Sequence, residues 1–129
     1  MLVFLVDDDD VFNYMNEAII QMVHPGTTVR IFKSGEDVVR HIENDPDFIA
    51  PDLMFLDIRM PHMDGFALLD YMEQQPVDLF QNTHLHMLSS TLDEKDTLRT
   101  KNNPRIQSLL SKPLSTDLVA DLLHSLKSR

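Results

Sequence analysis

The residues of this sequence that could do chemistry follow short apolar runs at widely separated positions. Asp7 and Asp8 come directly after one such run, and Asp57 ends another. Ser89 and Lys112 follow two further runs of the same kind. If the fold brings these side chains together, three carboxylates will lie beside an ammonium group and a hydroxyl. Three carboxylates at close range repel one another, so the pKa of at least one should rise unless a cation compensates.

Lys112 can offset only one of the three negative charges. A divalent cation would restore rough neutrality, and Mg²⁺, or Mn²⁺ in its place, favours carboxylates, backbone carbonyls and water as ligands. The sequence contains no cysteine, and no histidine stands at these positions. A zinc site is therefore not expected there.

A carboxylate beside a divalent cation and an ammonium group is suited to phosphoryl transfer, because the transition state spreads negative charge over the phosphoryl oxygens. Asp57 would be the nucleophile and would form an aspartyl-phosphate. Lys112 would hold the phosphoryl oxygens, and Ser89 would donate a hydrogen bond to one of them. Singly, these residues have ordinary explanations: Asp57 could cap a turn, and Lys112 could be a solvated surface lysine. Their coincidence at successive strand ends favours the site.

The elements that must position these residues alternate along the chain. Five segments predict β-strands, because each is short and either apolar or rich in β-branched residues: 2–6, 27–32, 53–56, 84–88 and 106–110. A helical pattern follows each of them. Such alternation predicts an α/β fold with a parallel sheet covered by helices on both faces. Because parallel strands end at one edge of the sheet, the site residues should converge there.

Apolar residues at helical spacing predict which face of each helix is buried. In the first helix the stripe consists of Val11, Met15, Ile19 and Met22, and the methionines are predicted to lie in the core. Three later helices are predicted to bury Val38, Val39 and Ile42, then Phe66, Leu69 and Met72, and finally Leu118, Leu122 and Leu126. The fourth helix has only Leu92 and Leu98 to bury, so it should be weakly anchored.

The composition limits the classes of function. The 129 residues suit one domain, and the pattern leaves no segment for an attached output domain. A formal net charge of −10 argues against nucleic acids and anionic membranes as direct partners. No segment has the length of a membrane span, and the first apolar run lacks the basic start of a signal peptide. Together with the absence of cysteine, these features predict a cytoplasmic protein.

Five motifs, in this order and spacing, resemble the receiver domain of bacterial response regulators. They are residues 6–9 (Val-Asp-Asp-Asp), 51–57 (Pro-Asp-Leu-Met-Phe-Leu-Asp), 60–65 (Met-Pro-His-Met-Asp-Gly), 88–90 (Leu-Ser-Ser) and 111–113 (Ser-Lys-Pro). The resemblance covers the whole chain. It implies a doubly wound five-stranded fold, flavodoxin-like, with the strand order 2-1-3-4-5 and the site at the switch point.

The resemblance also implies roles for individual residues. Asp57 would take its phosphoryl group from a sensor histidine kinase or a histidine phosphotransfer protein. Asp8 would ligate Mg²⁺ directly, Asp7 would help through water, and the backbone carbonyl of Arg59 would complete the protein ligands. The peptide bond between Lys112 and the following proline would be cis, as proline permits. The chain would catalyse only its own phosphorylation and dephosphorylation, and would not be an enzyme acting on other substrates.

In this family phosphorylation shifts the population of two conformations, because Ser89 and its loop bond the phosphoryl group in only one of them. A downstream protein, which the sequence does not identify, would read the change on the face made by the fourth helix, fifth strand and fifth helix. Leu109 departs from the family, which usually has an aromatic residue there, so the aromatic rotamer switch is missing. Arg59 and Thr91 stand where the family tunes the lifetime of the phosphorylated form. The long Arg59 side chain is predicted to hinder water and slow the decay.

Two other functions remain as alternatives. A phosphatase of the haloacid dehalogenase kind also forms an aspartyl-phosphate, but it needs a second acid two residues after the nucleophile, where Arg59 stands. A degenerate receiver would act as a binding module without phosphorylation, and its mark would be loss of Asp57 or Lys112. Both residues are present. Labelling with acetyl phosphate would distinguish these functions.

Overall fold

The computed structural model describes residues 1–127, in which five strands alternate with five helices. The strands are β1 (Leu2–Val6), β2 (Thr28–Phe32), β3 (Leu53–Asp57), β4 (His84–Ser89) and β5 (Ile106–Ser111). The helices are α1 (Asp10–Val23), α2 (Gly35–Asn44), α3 (Gly65–Glu73), α4 (Glu94–Lys101) and α5 (Thr116–Lys127). Each predicted strand and helix is therefore present, with bounds that differ by a residue or two.

All strand pairs in the sheet are parallel, and the strand order is β2-β1-β3-β4-β5. This confirms the doubly wound, flavodoxin-like order that the resemblance implied. Of the three central strands, β1 and β3 are nearly continuous apolar runs because both of their faces are covered, whereas β4 also contains two histidines. The β4–β5 pairing contains one register irregularity, after Leu85.

Helices cover the sheet with a separate apolar layer on each face. Alternate residues of β1 and β3 enter opposite layers: Phe4 and Met54 pack with α2 and α3, whereas Leu5 and Phe55 pack with α1 and α5. The predicted buried faces of α2 and α3 are confirmed. In α5 the most buried residues are Val119 and Leu123, and the leucines at 118, 122 and 126 are partly buried beside them.

The predicted buried face of α1 is wrong at three of its four positions; the fourth, Ile19, is partly buried against the core. Val11 and Met22 are 66% and 71% exposed, and Met15 is also exposed. The buried residues of α1 are instead Asn13, Asn16 and Ile20. The asparagines can face inward because Asn13 Nδ2 donates to the Asp7 carbonyl at 2.8 Å and Asn16 Oδ1 accepts from the Leu114 amide at 3.3 Å. Specific hydrogen bonds, which a hydrophobicity pattern does not contain, therefore orient this helix.

Side-chain caps fix where two of the site-bordering helices begin. Asp9 accepts from the Val11 and Phe12 amides at the start of α1, and Asp64 accepts from the Ala67 amide at the start of α3. Among the described residues, no helix is both long enough and apolar enough to cross a membrane.

Candidate functional site

The strand ends bring the predicted site residues to the carboxyl edge of the sheet. Asp7 follows β1, Asp57 ends β3 and Ser89 ends β4, while Lys112 comes directly after β5. Lys112 Nζ lies 2.9 Å from Asp7 Oδ2 and 3.4 Å from Asp57 Oδ2, and all three side chains are buried. Residues that are 105 positions apart in sequence are thus in direct contact.

Three carboxylates form a compact cluster at this edge. Asp7, Asp8 and Asp57 each offer an oxygen, and these oxygens lie within 4.8 Å of one another. Asp7 and Asp57 are buried whereas Asp8 is exposed, so the cluster opens to solvent on one side. The Asp9 amide donates to Asp7 Oδ1 at 2.9 Å and fixes that carboxylate. An all-oxygen cluster of this kind fits Mg²⁺ better than zinc.

The pKa values of Asp57 and Lys112 respond to burial and to the charges of the cluster. Burial raises the pKa of Asp57 to about 7, and the charge of Asp7 adds to the rise while Lys112 opposes it. Burial alone would lower the pKa of Lys112, but its hydrogen bond to Asp7 and the charges of both acids outweigh burial and raise that pKa. The lysine is therefore a stable cation that only partly neutralises its surroundings. A further cation would bring Asp57 back to the ionised form.

Lys112 is also held by groups that the sequence analysis missed. Its Nζ lies 4.5 Å from the centre of the Phe12 ring, in cation–π geometry. The Lys112 amide donates to the Ser89 carbonyl at 2.9 Å, which ties the lysine loop to the end of β4. Nothing in the sequence distinguishes Phe12 from any other apolar residue in a first helical turn.

The loop after Asp57 is held close to the Asp57 carboxylate by backbone contacts. The Arg59 amide donates to Asp57 Oδ1 at 3.3 Å, and the Gly65 amide donates to the Ile58 carbonyl at 3.0 Å. A Cβ at Gly65 would lie 2.5 Å from the Asp57 carbonyl oxygen, which explains the glycine. His62 has a φ of 68°, so this short loop also uses the left-handed region.

Ser89 is buried at the edge of the site, and its hydroxyl is engaged within its own loop. It donates to the Thr91 carbonyl and accepts from the Thr91 amide at 3.1 Å. Reaching a group on Asp57 would require this hydroxyl to turn away from Thr91.

Leu109 lies on β5, partly buried against the α2–α3 layer of the core.

The Arg59 side chain reaches α4. Its Nη2 lies 2.5 Å from Asp96 Oδ2. The Asp96 side chain is 8% exposed and the Arg59 side chain 59%. Sequence analysis missed Asp96 because an acid in a first helical turn has an ordinary explanation in the helix dipole.

The histidines of β4 lie outside the acidic cluster. His86 Nδ1 is 2.5 Å from Ser108 Oγ, and the His86 ring packs on Phe55 at 5.9 Å between ring centres. Burial and the nearby His84 lower the pKa of His86 to about 4. Among the described residues, the acidic cluster is the one group of three or more potential ligands that could hold a metal ion.

The sequence and the fold of this chain are similar to those of known proteins. The chain is 26% identical to a two-component response regulator from Cytophaga hutchinsonii, with a TM-score of 0.85 over 99% of this chain and 97% of that one. It is 29% identical to a response regulator receiver protein from Dyadobacter fermentans, with a TM-score of 0.82 over 98% of both chains. The DNA-binding transcriptional regulator NtrC of Proteus hauseri is 34% identical over 73 residues, which are 57% of this chain and 14% of NtrC. The sequence profile of the response regulator receiver domain matches residues 3–124, and the chain therefore belongs to that family.

Proposed function

We propose that Asp57 accepts a phosphoryl group from a sensor histidine kinase or a histidine phosphotransfer protein, and that the phosphorylated domain changes its affinity for a downstream protein. The observation that carries this proposal is the contact of Lys112 Nζ with both Asp7 and Asp57, within a cluster of three carboxylates. An ammonium group beside a nucleophilic carboxylate supplies charge where the transferred phosphoryl oxygens must sit.

In the transfer, a carboxylate oxygen of Asp57 attacks phosphorus and the bond from phosphorus to the donor breaks. With a phosphohistidine donor, the ring nitrogen leaves with the electron pair; with acetyl phosphate, acetate leaves. Asp57 must be ionised to attack, and its pKa of about 7 makes that form incomplete at neutral pH. Lys112 favours the ionised form and holds the phosphoryl oxygens after transfer.

The residues present fit a divalent cation. Asp7, Asp8 and Asp57 would hold Mg²⁺ or Mn²⁺, and the predicted role of the Arg59 carbonyl would add a fourth protein ligand. When bound, the cation would supply positive charge that lowers the pKa of Asp57 and neutralises the phosphoryl oxygens. Asp8 is the exposed member and Asp7 is held by both Lys112 and the Asp9 amide.

Loss of the phosphoryl group would be hydrolysis at the same site, so the domain acts on itself and turns over no separate substrate. Arg59 lies beside the phosphoacceptor, and we keep the hypothesis that its side chain slows this hydrolysis. NtrC is described as a DNA-binding transcriptional regulator, but the matched stretch is 14% of its length. We therefore propose only that the downstream partner is a protein. We also propose that this chain is located in the cytoplasm.

Intact-mass measurement after incubation with Mg²⁺ and acetyl phosphate tests the proposal. We expect one added phosphate per chain for the wild type and none for Asp57→Asn. Asp70→Asn removes an exposed acid from α3 and should label like the wild type. An unlabelled wild type, or equal labelling of the Asp57→Asn variant, would contradict the proposed function.

A further inference from the structure

One ion pair links the phosphoacceptor loop to α4. The Arg59 backbone amide contacts Asp57 Oδ1 at 3.3 Å, and the guanidinium of the same residue contacts Asp96 Oδ2 at 2.5 Å. A single residue thus touches both the phosphoacceptor and the first turn of α4. Asp96 is buried, whereas the Arg59 side chain is 59% exposed.

Apart from this pair, α4 packs on the domain with few apolar side chains. Its two buried residues are Asp96 and Thr100, both polar, and the Thr100 hydroxyl has no hydrogen-bond partner among residues 1–127. Leu98, the helix's apolar residue, is 59% exposed. A cation–π contact also links α4 to α3: Arg99 Cζ lies 4.2 Å from the centre of the Phe66 ring. A helix held by few apolar contacts depends strongly on each polar contact that remains.

A phosphoryl group on Asp57 would compete with Asp96 for Arg59. Guanidinium binds phosphate oxygens in a bidentate fork, and an aspartyl-phosphate carries about two negative charges, whereas the Asp96 carboxylate carries one. The exchange would leave Asp96 as a nearly buried carboxylate without its cation, which favours movement of Asp96, and of the turn that carries it, toward water.

We propose that Asp96 is a positioning residue that holds the Arg59 guanidinium on α4, and that a phosphoryl group on Asp57 takes the guanidinium away and loosens α4. The second half rests on the proposed function, whereas the hold of the ion pair on α4 does not. This exchange of partners would couple the site to α4 without an aromatic residue at Leu109. By linkage, whatever weakens the ion pair should also favour the phosphorylated form.

Hydrogen exchange of the amides in residues 94–101 tests the first half in unphosphorylated protein. Asp96→Asn should speed their exchange about three- to tenfold, because local opening no longer breaks an ion pair. Glu94→Gln removes the same charge from an exposed acid in the same turn and should leave exchange unchanged. Asp96→Glu keeps the carboxylate and should restore slow exchange. Exchange in β3 reports whether any variant has lost global stability.

The second half is tested by repeating the measurement with Mg²⁺ and acetyl phosphate while following phosphorylation by mass. Exchange in α4 of the wild type should rise about three- to tenfold on phosphorylation, to the level of Asp96→Asn, and that variant should show no further rise. If Asp96→Asn exchanges like Glu94→Gln, the hold on α4 is refuted whether or not Asp57 is phosphorylated. A phosphorylated wild type with unchanged α4 exchange refutes the transfer of Arg59 alone. Absence of phosphorylation refutes the proposed function and the transfer together.

Discussion

At the scale of single residues, the ionised form of Asp57, the proposed phosphoacceptor, is poorly stabilised in the folded protein. Asp57 is buried next to Asp7, and its pKa is raised from 3.8 to about 7. Its ionised form therefore opposes folding until a cation is bound.

The contribution of Asp57 to the stability of metal-free protein should fall as the pH rises from about 4 to about 7. The folded state holds the Asp57 proton up to about pH 7, whereas the unfolded state releases it near 3.8, so the contribution present below pH 3.8 is lost over this range. Asp57→Asn should remove the loss and stabilise the protein at pH 8 by a few kcal/mol, since one pKa unit corresponds to about 1.4 kcal/mol. Urea unfolding in the presence of a chelator measures this, with Asp70→Asn as the control. Equal stability of Asp57→Asn and wild type at pH 8 would contradict it.

His86 should have the opposite effect on stability. Its pKa is lowered from 6.5 to about 4, so the unfolded state takes up a proton first and stability is lost as the pH falls through this interval. In an Asp57→Asn background, which removes the competing titration, the loss should reach about 3 kcal/mol between these values. His86→Gln should flatten the profile, whereas His62→Asn, at an exposed position with positive φ, should not. Parallel profiles for all three proteins would show that His86 is not the cause.

At the scale of elements, α1 shows how a helix can be predicted at the right place in the sequence while its buried face is predicted wrongly. The apolar spacing predicts that Met22 is buried and Asn16 exposed, and the structure has the reverse. Met22→Ala should therefore change the free energy of unfolding by no more than about 0.5 kcal/mol. Asn16→Ala should cost about 1–3 kcal/mol, because it leaves the Leu114 amide without its acceptor. Urea unfolding of the two variants measures both free energies. A larger loss of stability for Met22→Ala than for Asn16→Ala would favour the buried face predicted from the sequence.

The turn from β3 into α3 packs directly on the backbone of Asp57, the proposed phosphoacceptor. An alanine at Gly65 would place its Cβ 2.5 Å from the Asp57 carbonyl oxygen. Gly65→Ala should slow phosphorylation by acetyl phosphate about ten- to a hundredfold, because the carboxylate is displaced from its partners. Gly26→Asn is a suitable control: its φ is +89°, nothing lies within 4 Å of the added Cβ, and asparagine accepts such a φ. Intact mass against time gives both rates; an unchanged rate for Gly65→Ala would mean that the loop relaxes without moving Asp57.

At the scale of the whole molecule, the sequence is informative where the fold depends on local patterns and uninformative where it depends on distant partners. The five strands and the meeting of Asp57 with Lys112 follow from apolar runs and parallel topology. The contacts of Phe12 and of Asp96 do not, because each is an ordinary residue for its helix position until the partner from another loop is known. The burial of the asparagines of α1 could not be predicted either, because their hydrogen-bond partners, Asp7 and Leu114, lie outside the helix.

The excess of acids predicts that divalent cations stabilise the whole domain. Mg²⁺ at a free concentration 100-fold above its dissociation constant should raise the free energy of unfolding by about 2.7 kcal/mol, since the unfolded chain has no assembled site. Asp8→Asn should weaken this gain because Asp8 is one of the three clustered acids. NaCl at matched ionic strength controls for general screening of the net charge of −10. A thermal midpoint that rises equally with either salt would exclude a specific site.

The exposure of Tyr14 gives the molecule a usable optical label. The chain has two tyrosines and no tryptophan, and Tyr14 is 76% exposed on α1. Tyr71 instead donates its hydroxyl to Glu43, and its partial burial together with that carboxylate raises its pKa and disfavours the reactive phenolate. Tetranitromethane should therefore nitrate Tyr14 first. Nitrotyrosine absorbs visible light. Binding of a partner close to Tyr14 could therefore be followed by the change in this absorbance.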